Sequence, residues 1–176
     1  VIDAEWQHRN VTKSQMLLRL SKLRYKASLQ DIIYNSERNI KKESIALMSD
    51  CSFIERAQND IITGATGSGK SFLACALGNQ ACLHAYRTLY FNMNRFTEQL
   101  SLAKLQGTYI KWLNQLKKAD LIILDDFGLQ QLDQNAKLAL LQMLEDRYDY
   151  KSTIIVSQLP IEHWHSFINE PTIADA

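Results

Sequence analysis

An α/β fold built on a parallel sheet is predicted by three features of this 176-residue chain. Short apolar runs alternate with longer segments of helical spacing. The sequence GATGSGKS, Gly64–Ser71, stands between one such run and one such segment, and a further run, LIILDD at Leu121–Asp126, ends in two carboxylates. Strands alternating with helices imply parallel pairing through right-handed crossovers, with helices covering both faces of the sheet. At 46% hydrophobic residues the chain can bury one good core and is near the usual size of a single domain.

The elements follow in order. Met16, Leu17, Leu20 and Leu23 recur at helical spacing with Arg19, Lys22, Arg24 and Lys26 beside them, which predicts a basic amphipathic helix within residues 1–30. Such a helix can pack on the core, grip DNA phosphates or meet a partner protein. A polar connector is expected at Ser36–Asn39, then a second helix from about Lys41 to Ala57 carried by Ile45, Met48, Phe53 and Ile54. Residues 1–58 therefore read as a basic helical segment with a connector, and residues 59–176 as the nucleotide-binding core. In that core Ile61–Thr63, Thr88–Met93, Leu121–Asp125 and Thr153–Ser157 read as strands one to four. Helices are expected at Ser71–Tyr86, Asn94–Gln106, Tyr109–Lys117 and Asn135–Tyr150, with Gly107 separating the middle two. Pro160 opens a short last helix, because its fixed φ and missing N–H suit the first helical position.

GATGSGKS fits G-x-x-x-x-G-K-[ST], and the chemistry of that spacing is specific. Glycines let the backbone curl so that successive N–H groups point at phosphate oxygens, while the next helix directs its positive end at the same anion. Lys70 can then reach the β- and γ-phosphates, and the Ser71 hydroxyl can bind Mg²⁺. The expected contacts to ATP are Gly64, Ala65, Thr66, Gly67, Ser68, Gly69, Lys70, Ser71 and Phe72. A glycine-rich turn before an ordinary helix is the plain alternative, and a second signal is needed against it. LIILDD supplies one, as a buried central strand whose acids emerge at the carboxyl edge, where open α/β sheets bind ligands. Asp125 would hold Mg²⁺, directly or through water, and Asp126 would orient or deprotonate the attacking water. TIIVSQLP repeats the pattern, so Ser157 and Gln158 either approach the γ-phosphate or merely begin a loop.

The formal net charge of +1 conceals an uneven distribution. Residues 1–44 carry nine basic against five acidic side chains, residues 95–118 five against one, and residues 119–176 three against ten. The basic segments could meet a polyanion or simply be solvated helix faces. Three scattered cysteines make no disulfide framework, which fits a reducing compartment, and Cys75 and Cys82 read as small core residues on one helix. His163 and His165 flank Trp164, and the sequence offers no Cys or acidic residue at zinc-ligand spacing from them. No run approaches the roughly 20 apolar residues of a membrane span, so a cytoplasmic protein with no membrane partner is expected.

Taken together, GATGSGKSFLACALG, TLYFNMNRF, LIILDDFGL and STIIVSQLPIEHWH resemble the IstB-like ATP-binding proteins of bacterial insertion sequences, relatives of the DnaC and DnaI helicase loaders among AAA+ ATPases. The resemblance runs over nearly the whole chain, and LDDFGL with SQLPIEHWH points to IstB rather than to a loader. It implies an AAA+ sheet of order 5-1-4-3-2, binding of MgATP by Lys70, Ser71 and Asp125, Asp126 as the catalytic acidic residue, and Gln158 in a sensor position. It implies a DNA-binding ATPase that helps a transposase and assembles as a spiral or ring of identical subunits on DNA. The paired helices at about Asn94–Lys118 would correspond to the insertion that touches DNA, with Arg95, Lys104, Lys111 and Lys117 as contacts. Asp126 departs from the Glu of many AAA+ relatives by one methylene. The sequence ends in PTIADA where relatives continue into an arginine-containing helix, a fifth strand and a sensor-two region, so a longer natural protein is expected. Alternatives are a replicative helicase loader, a non-hydrolysing ATP-binding interaction module and, more remotely, a small-molecule kinase.

Overall fold

The computed structural model describes residues 2–34 and 40–169; the expected connector Ser36–Asn39 and the PTIADA end lie outside the described residues. Its sheet has the strands β1 (Asp60–Thr63), β2 (Thr88–Asn92), β3 (Leu121–Phe127) and β4 (Ser152–Ser157). All pairings are parallel and the order is β1-β4-β3-β2. This matches the shared part of the expected 5-1-4-3-2 arrangement.

The reason β3 is central lies in its sequence. Leu121, Ile122, Ile123 and Leu124 are all fully buried, which requires cover on both faces. Because side chains alternate along a strand, Ile122 and Leu124 enter one core and Leu121 and Ile123 the other. The first core lies under α5 (Met93–Leu105), α6 (Tyr109–Lys118), α7 (Gln134–Arg147) and α8 (Trp164–Ile168), with Phe96, Leu100, Trp112, Leu116, Leu140 and Met143 filling it. The second is closed by α4 (Lys70–Leu83), α2 (Lys42–Ser49) and α3 (Ser52–Glu55). Leu73, Cys75 and Leu77 of α4 meet Ala27, Ile32, Ile45 and Phe53 there, so residues upstream of β1 share a core with the phosphate-loop helix. Cys75 and Cys82 are buried thiols, as their spacing implied.

Local chemistry sets the boundaries where they differ from expectation. α1 (Ile2–Ser21) stops because Lys22 turns into the left-handed region at φ 58°, which puts Leu23 beyond the helix. Its core-facing side is Ser14, Leu17 and Ser21, whereas Met16 and Leu20 are 46% and 49% exposed; the expected apolar stripe is thus split, with Leu17 and Leu23 on the core and the other two outside. Small side chains bring α1 close to α4, where Gly78 leaves just enough room for Leu23. The single helix expected from Lys41 to Ala57 is two, α2 and α3. Asp50 accepts the Ser52 N–H at 2.9 Å and Cys51 adopts φ 61°, which breaks the ladder between them. Asn92 ends β2 and caps α5 by accepting the Arg95 N–H at 2.8 Å, so Met93 is helical rather than the last strand residue. α7 starts one residue earlier than expected behind its cap Asp133 and ends at Arg147, short of Tyr150. Pro160 precedes a 3₁₀ turn, Ile161–His163, that leads into α8.

Among the described residues no helix is long and apolar enough to cross a membrane.

Candidate functional site

The carboxyl ends of β1, β3 and β4 converge on the loop Gly64–Gly69 and the first turn of α4. Thr63 of β1 stands opposite Ser157 of β4, and β3 lies on the other side of β4, so the three strand ends open side by side. Between them is a cavity of ≈ 480 Å³ lined by Thr66, Gly67, Gly69, Lys70, Ser71, Phe72, Asp125, Asp126, Ser157 and Gln158, together with Arg24, Tyr25 and Val156. Residues separated by a hundred positions in sequence thus form one wall.

The loop's shape comes from its glycines. Gly67 at φ 77° and Gly69 at φ 90° occupy left-handed backbone that side chains resist, and Gly69 is the residue on which α4 begins. Ala65 holds the loop from within: its carbonyl accepts the Ser68 N–H at 3.3 Å and the Lys70 ammonium at 2.6 Å. Gly64 approaches Ser68 so closely that an added Cβ would lie 3.2 Å from its Oγ. Gly64, Ala65 and Ser68 therefore build the loop, and the other predicted contacts face the cavity. Burial lowers the Lys70 pKa, while Asp125 and Asp126 oppose that shift by favouring the cation.

The two carboxylates have different settings. Asp125 is 1% exposed; its Oδ2 accepts the Tyr90 hydroxyl at 2.6 Å and its Oδ1 accepts the Asp126 N–H at 2.8 Å. Tyr90 reaches it from β2, the neighbouring strand, and its own pKa is pushed up first by burial and then by that bond to Asp125. Asp126 interrupts β3 with a left-handed residue, φ 60°, and the pairing with β4 shifts register between Leu124 and Phe127. The third strand consequently runs past its expected end at Asp125. The bulge turns the Asp126 carboxylate outward to 30% exposure, where Arg24 Nη1 lies 3.6 Å from its Oδ2. Burial and the nearby Asp125 raise the Asp126 pKa, with Arg24 and Lys70 acting against them.

Ser157 and Gln158 both line the cavity, with different partners. Ser157 is internal: its Oγ donates to the Phe127 carbonyl at 2.7 Å and accepts the Leu159 N–H at 3.0 Å, which shapes the turn after β4. Gln158 reaches the loop, where its Oε1 accepts the Thr66 hydroxyl at 2.6 Å.

A second hollow of ≈ 290 Å³ adjoins the loop on the far side of Phe72, lined by Ile32, Ile33, Ile40, Phe72 and Leu73 with Ser68, Gly69 and Asp31. Arg24 and Tyr25 are the site residues that sequence reasoning missed. Helical spacing placed Arg24 among solvated flanks, and no glycine marks the turn at Lys22 that carries it to the cavity.

Away from the cavity, Arg95, Lys104, Lys111 and Lys117 lie on the α5–α6 hairpin. Lys104 is committed to neighbours, donating to Asn135 Oδ1 at 2.8 Å and lying 5.3 Å from the Tyr109 ring centre. Lys111 and Lys117 are exposed and Arg95 is half-buried. At about 100° per residue Lys111 shares its face of α6 with Lys118 rather than with Lys117.

The chain's relatives are consistent along its length. The sequence pattern of the family described as IstB-like ATP binding protein matches residues 1–176. An insertion sequence ATP-binding protein of Sinorhizobium fredii is 41% identical over 176 residues, covering all of this chain and 72% of that protein. The ATP-binding protein of insertion sequence IS1162 from Pseudomonas fluorescens is 39% identical over 161 residues, 91% of this chain and 70% of its own length. Among solved structures, the replication initiator DnaA bound to AMPPCP and single-stranded DNA superposes with a TM-score of 0.73 at 21% identity. That match covers 88% of this chain but only 48% of the initiator. The DnaC helicase loader superposes with a TM-score of 0.69 at 19% identity, over 85% of this chain and 91% of the loader. The fold is that of AAA+ phosphate-loop proteins.

Proposed function

This chain belongs to the family of IstB-like ATP-binding proteins, and from that premise we propose that it is a DNA-bound ATPase that assists an insertion-sequence transposase. ATP hydrolysis is the switch of its assembly on DNA. The observation that carries the reading is the single cavity in which Lys70, Ser71, Asp125, Asp126 and Gln158 meet.

In this reading the triphosphate lies in the ≈ 480 Å³ cavity, held by loop N–H groups and by Lys70 once its ammonium leaves the Ala65 carbonyl. The base occupies the adjoining apolar hollow against Ile32, Ile33 and Phe72. A divalent cation suits the oxygen donors present, the Ser71 hydroxyl and the Asp125 carboxylate, and would supply neutralisation of phosphate charge. Asp126 accepts the proton of the attacking water, and Gln158 senses the terminal phosphate from the end of β4. Exposed Lys111 and Lys117 supply sequence-independent contact with DNA phosphates. The insertion sequence proteins that share 39–41% of its residues support the transposase as partner.

Lys70→Ala is expected to abolish ATP binding, whereas Asp126→Asn keeps binding and lengthens the lifetime of the DNA-bound assembly. Calorimetric titration and DNA dissociation kinetics read the two. Undiminished ATP affinity in Lys70→Ala would refute the site; no turnover by the wild-type chain, with or without DNA, would refute the ATPase.

A further inference from the structure

We propose that Arg24 is a phosphate-sensing residue that exchanges Asp126 for the terminal phosphate of ATP, so that the chain distinguishes ATP from ADP within a single subunit. The proposal rests on the ATP-site reading above and concerns a residue outside every motif of that site.

Arg24 is carried to the cavity by the turn at Lys22, three residues beyond the end of α1. Among the described residues that line the cavity, Lys70 and Arg24 are the two permanent cations. Lys70 comes from the loop side and Arg24 from the carboxylate side, so the acidic pair Asp125 and Asp126 is approached by both. Lys70 is held at hydrogen-bonding distance by a carbonyl. Arg24 is held more loosely: its contact with Asp126 is 3.6 Å, beyond a hydrogen bond, the Tyr90 hydroxyl is its other polar neighbour, and its side chain is 47% exposed. A half-exposed pair of this kind is weak and easily exchanged.

The guanidinium is nonetheless anchored. Its centre lies 5.3 Å from the Tyr25 ring centre, and Tyr25 in turn packs against Phe72 of α4 at 6.3 Å. Those contacts tether Arg24 to the wall of the cavity that it lines. A planar fork with five N–H donors matches phosphate oxygens better than one carboxylate at long range. When a triphosphate enters, its last phosphate offers Arg24 more charge and more acceptors than Asp126 does. Arg24 therefore moves to that phosphate, and Asp126 loses one of its two neighbouring cations and accepts a proton from water more readily. A diphosphate lacks the group that Arg24 would take up, so with ADP the pair with Asp126 persists.

Titration of ADP and of the non-hydrolysable analogue AMPPCP, each with Mg²⁺, into wild type, Arg24→Ala and Arg24→Lys tests the assignment. Arg24→Ala is expected to weaken AMPPCP about tenfold or more, the scale of a charge-assisted hydrogen bond, while ADP changes less than about twofold. Arg24→Lys should fall between, because it keeps the charge but loses the fork. Retained ADP binding also reports that the variants are folded. Equal losses for both nucleotides, or none for either, would overturn the proposal. So would faster turnover by Arg24→Ala at unchanged AMPPCP affinity, which would make Arg24 a restraint on Asp126 alone. A wild-type chain that bound neither nucleotide would instead overturn the ATP-site reading itself.

Discussion

Arg147 is 1% exposed and has no carboxylate within ion-pair distance among the described residues. Its guanidinium donates to the carbonyls of Leu116 at 2.8 Å, Ala119 at 2.7 Å and Ser152, and its Nε to Thr153 Oγ1 at 3.3 Å. It thereby ties the end of α6 to the start of β4. Arg147→Met keeps most of the apolar stem and removes the donors. Each carbonyl stripped of a partner costs about 1–3 kcal/mol, at the low end for Leu116, which also accepts the Ala119 N–H at 3.2 Å, and for Ser152, whose carbonyl stays in the β3–β4 ladder, and at the high end for Ala119. Three of them total about 5 kcal/mol. Against this, burial has lowered the Arg147 pKa from 12.5 to about 10, a desolvation cost of about 3 kcal/mol that methionine does not bear. The loss of stability should therefore be about 2 kcal/mol. With a urea m-value of about 2 kcal/mol/M that moves the unfolding midpoint down by about 1 M. A midpoint at or above wild type would refute the reasoning, because desolvation would then outweigh the carbonyl network, as it does for some buried ion pairs.

Two further outcomes follow from the geometry. Gly78→Ala sets a helix gain of about 1 kcal/mol against a Cβ only 2.8 Å from both Ile123 Cδ1 and Leu23 Cδ2, where overpacking costs about 1–3 kcal/mol. The expected result in thermal unfolding is a net loss of about 1 kcal/mol, and a raised Tm would show that Leu23 yields freely. Charge reversal of Lys111 and Lys117 should weaken DNA binding and shrink its salt dependence by about two counterions, whereas reversing Lys104, already bonded to Asn135, should do less. Equal effects from all three lysines would remove the distinction.

What was legible in the sequence was whatever depends on neighbours along the chain. The phosphate loop and the four strands have local patterns, and parallel pairing follows from alternation with helices, whereas the strand order came only with the family resemblance. Asp125 was legible because a run buried on both faces can end in acids only at the sheet's edge. The break after Asp50 also had a local signal, since an Asp beside a Ser readily forms a turn of its own. Arg24, Tyr90 and Arg147 had none. Tyr90 occupies a strand position that alternation alone assigns to the core, and only the pairing of Asn92 with Asp125 brings its hydroxyl within 2.6 Å of that carboxylate. Arg147 sits at the last turn of a helix, where a basic residue is usually read as solvated. Its burial becomes evident only once β4 and α6 are placed around it.

The departure noted at Asp126 gains a physical reason from the backbone. A left-handed residue inside a strand is strained for most side chains, and Asp and Asn are the polar residues that tolerate it, because a short side chain bonds locally. Glutamate, one methylene longer, would gain reach and lose that tolerance. The chain thus combines a short acid with a bulge at the cavity wall. The same fact makes Asp126→Asn the informative substitution. It preserves the left-handed turn and the bulge while removing the proposed base, so a loss of turnover at unchanged ATP affinity reports on proton acceptance rather than on a distorted strand.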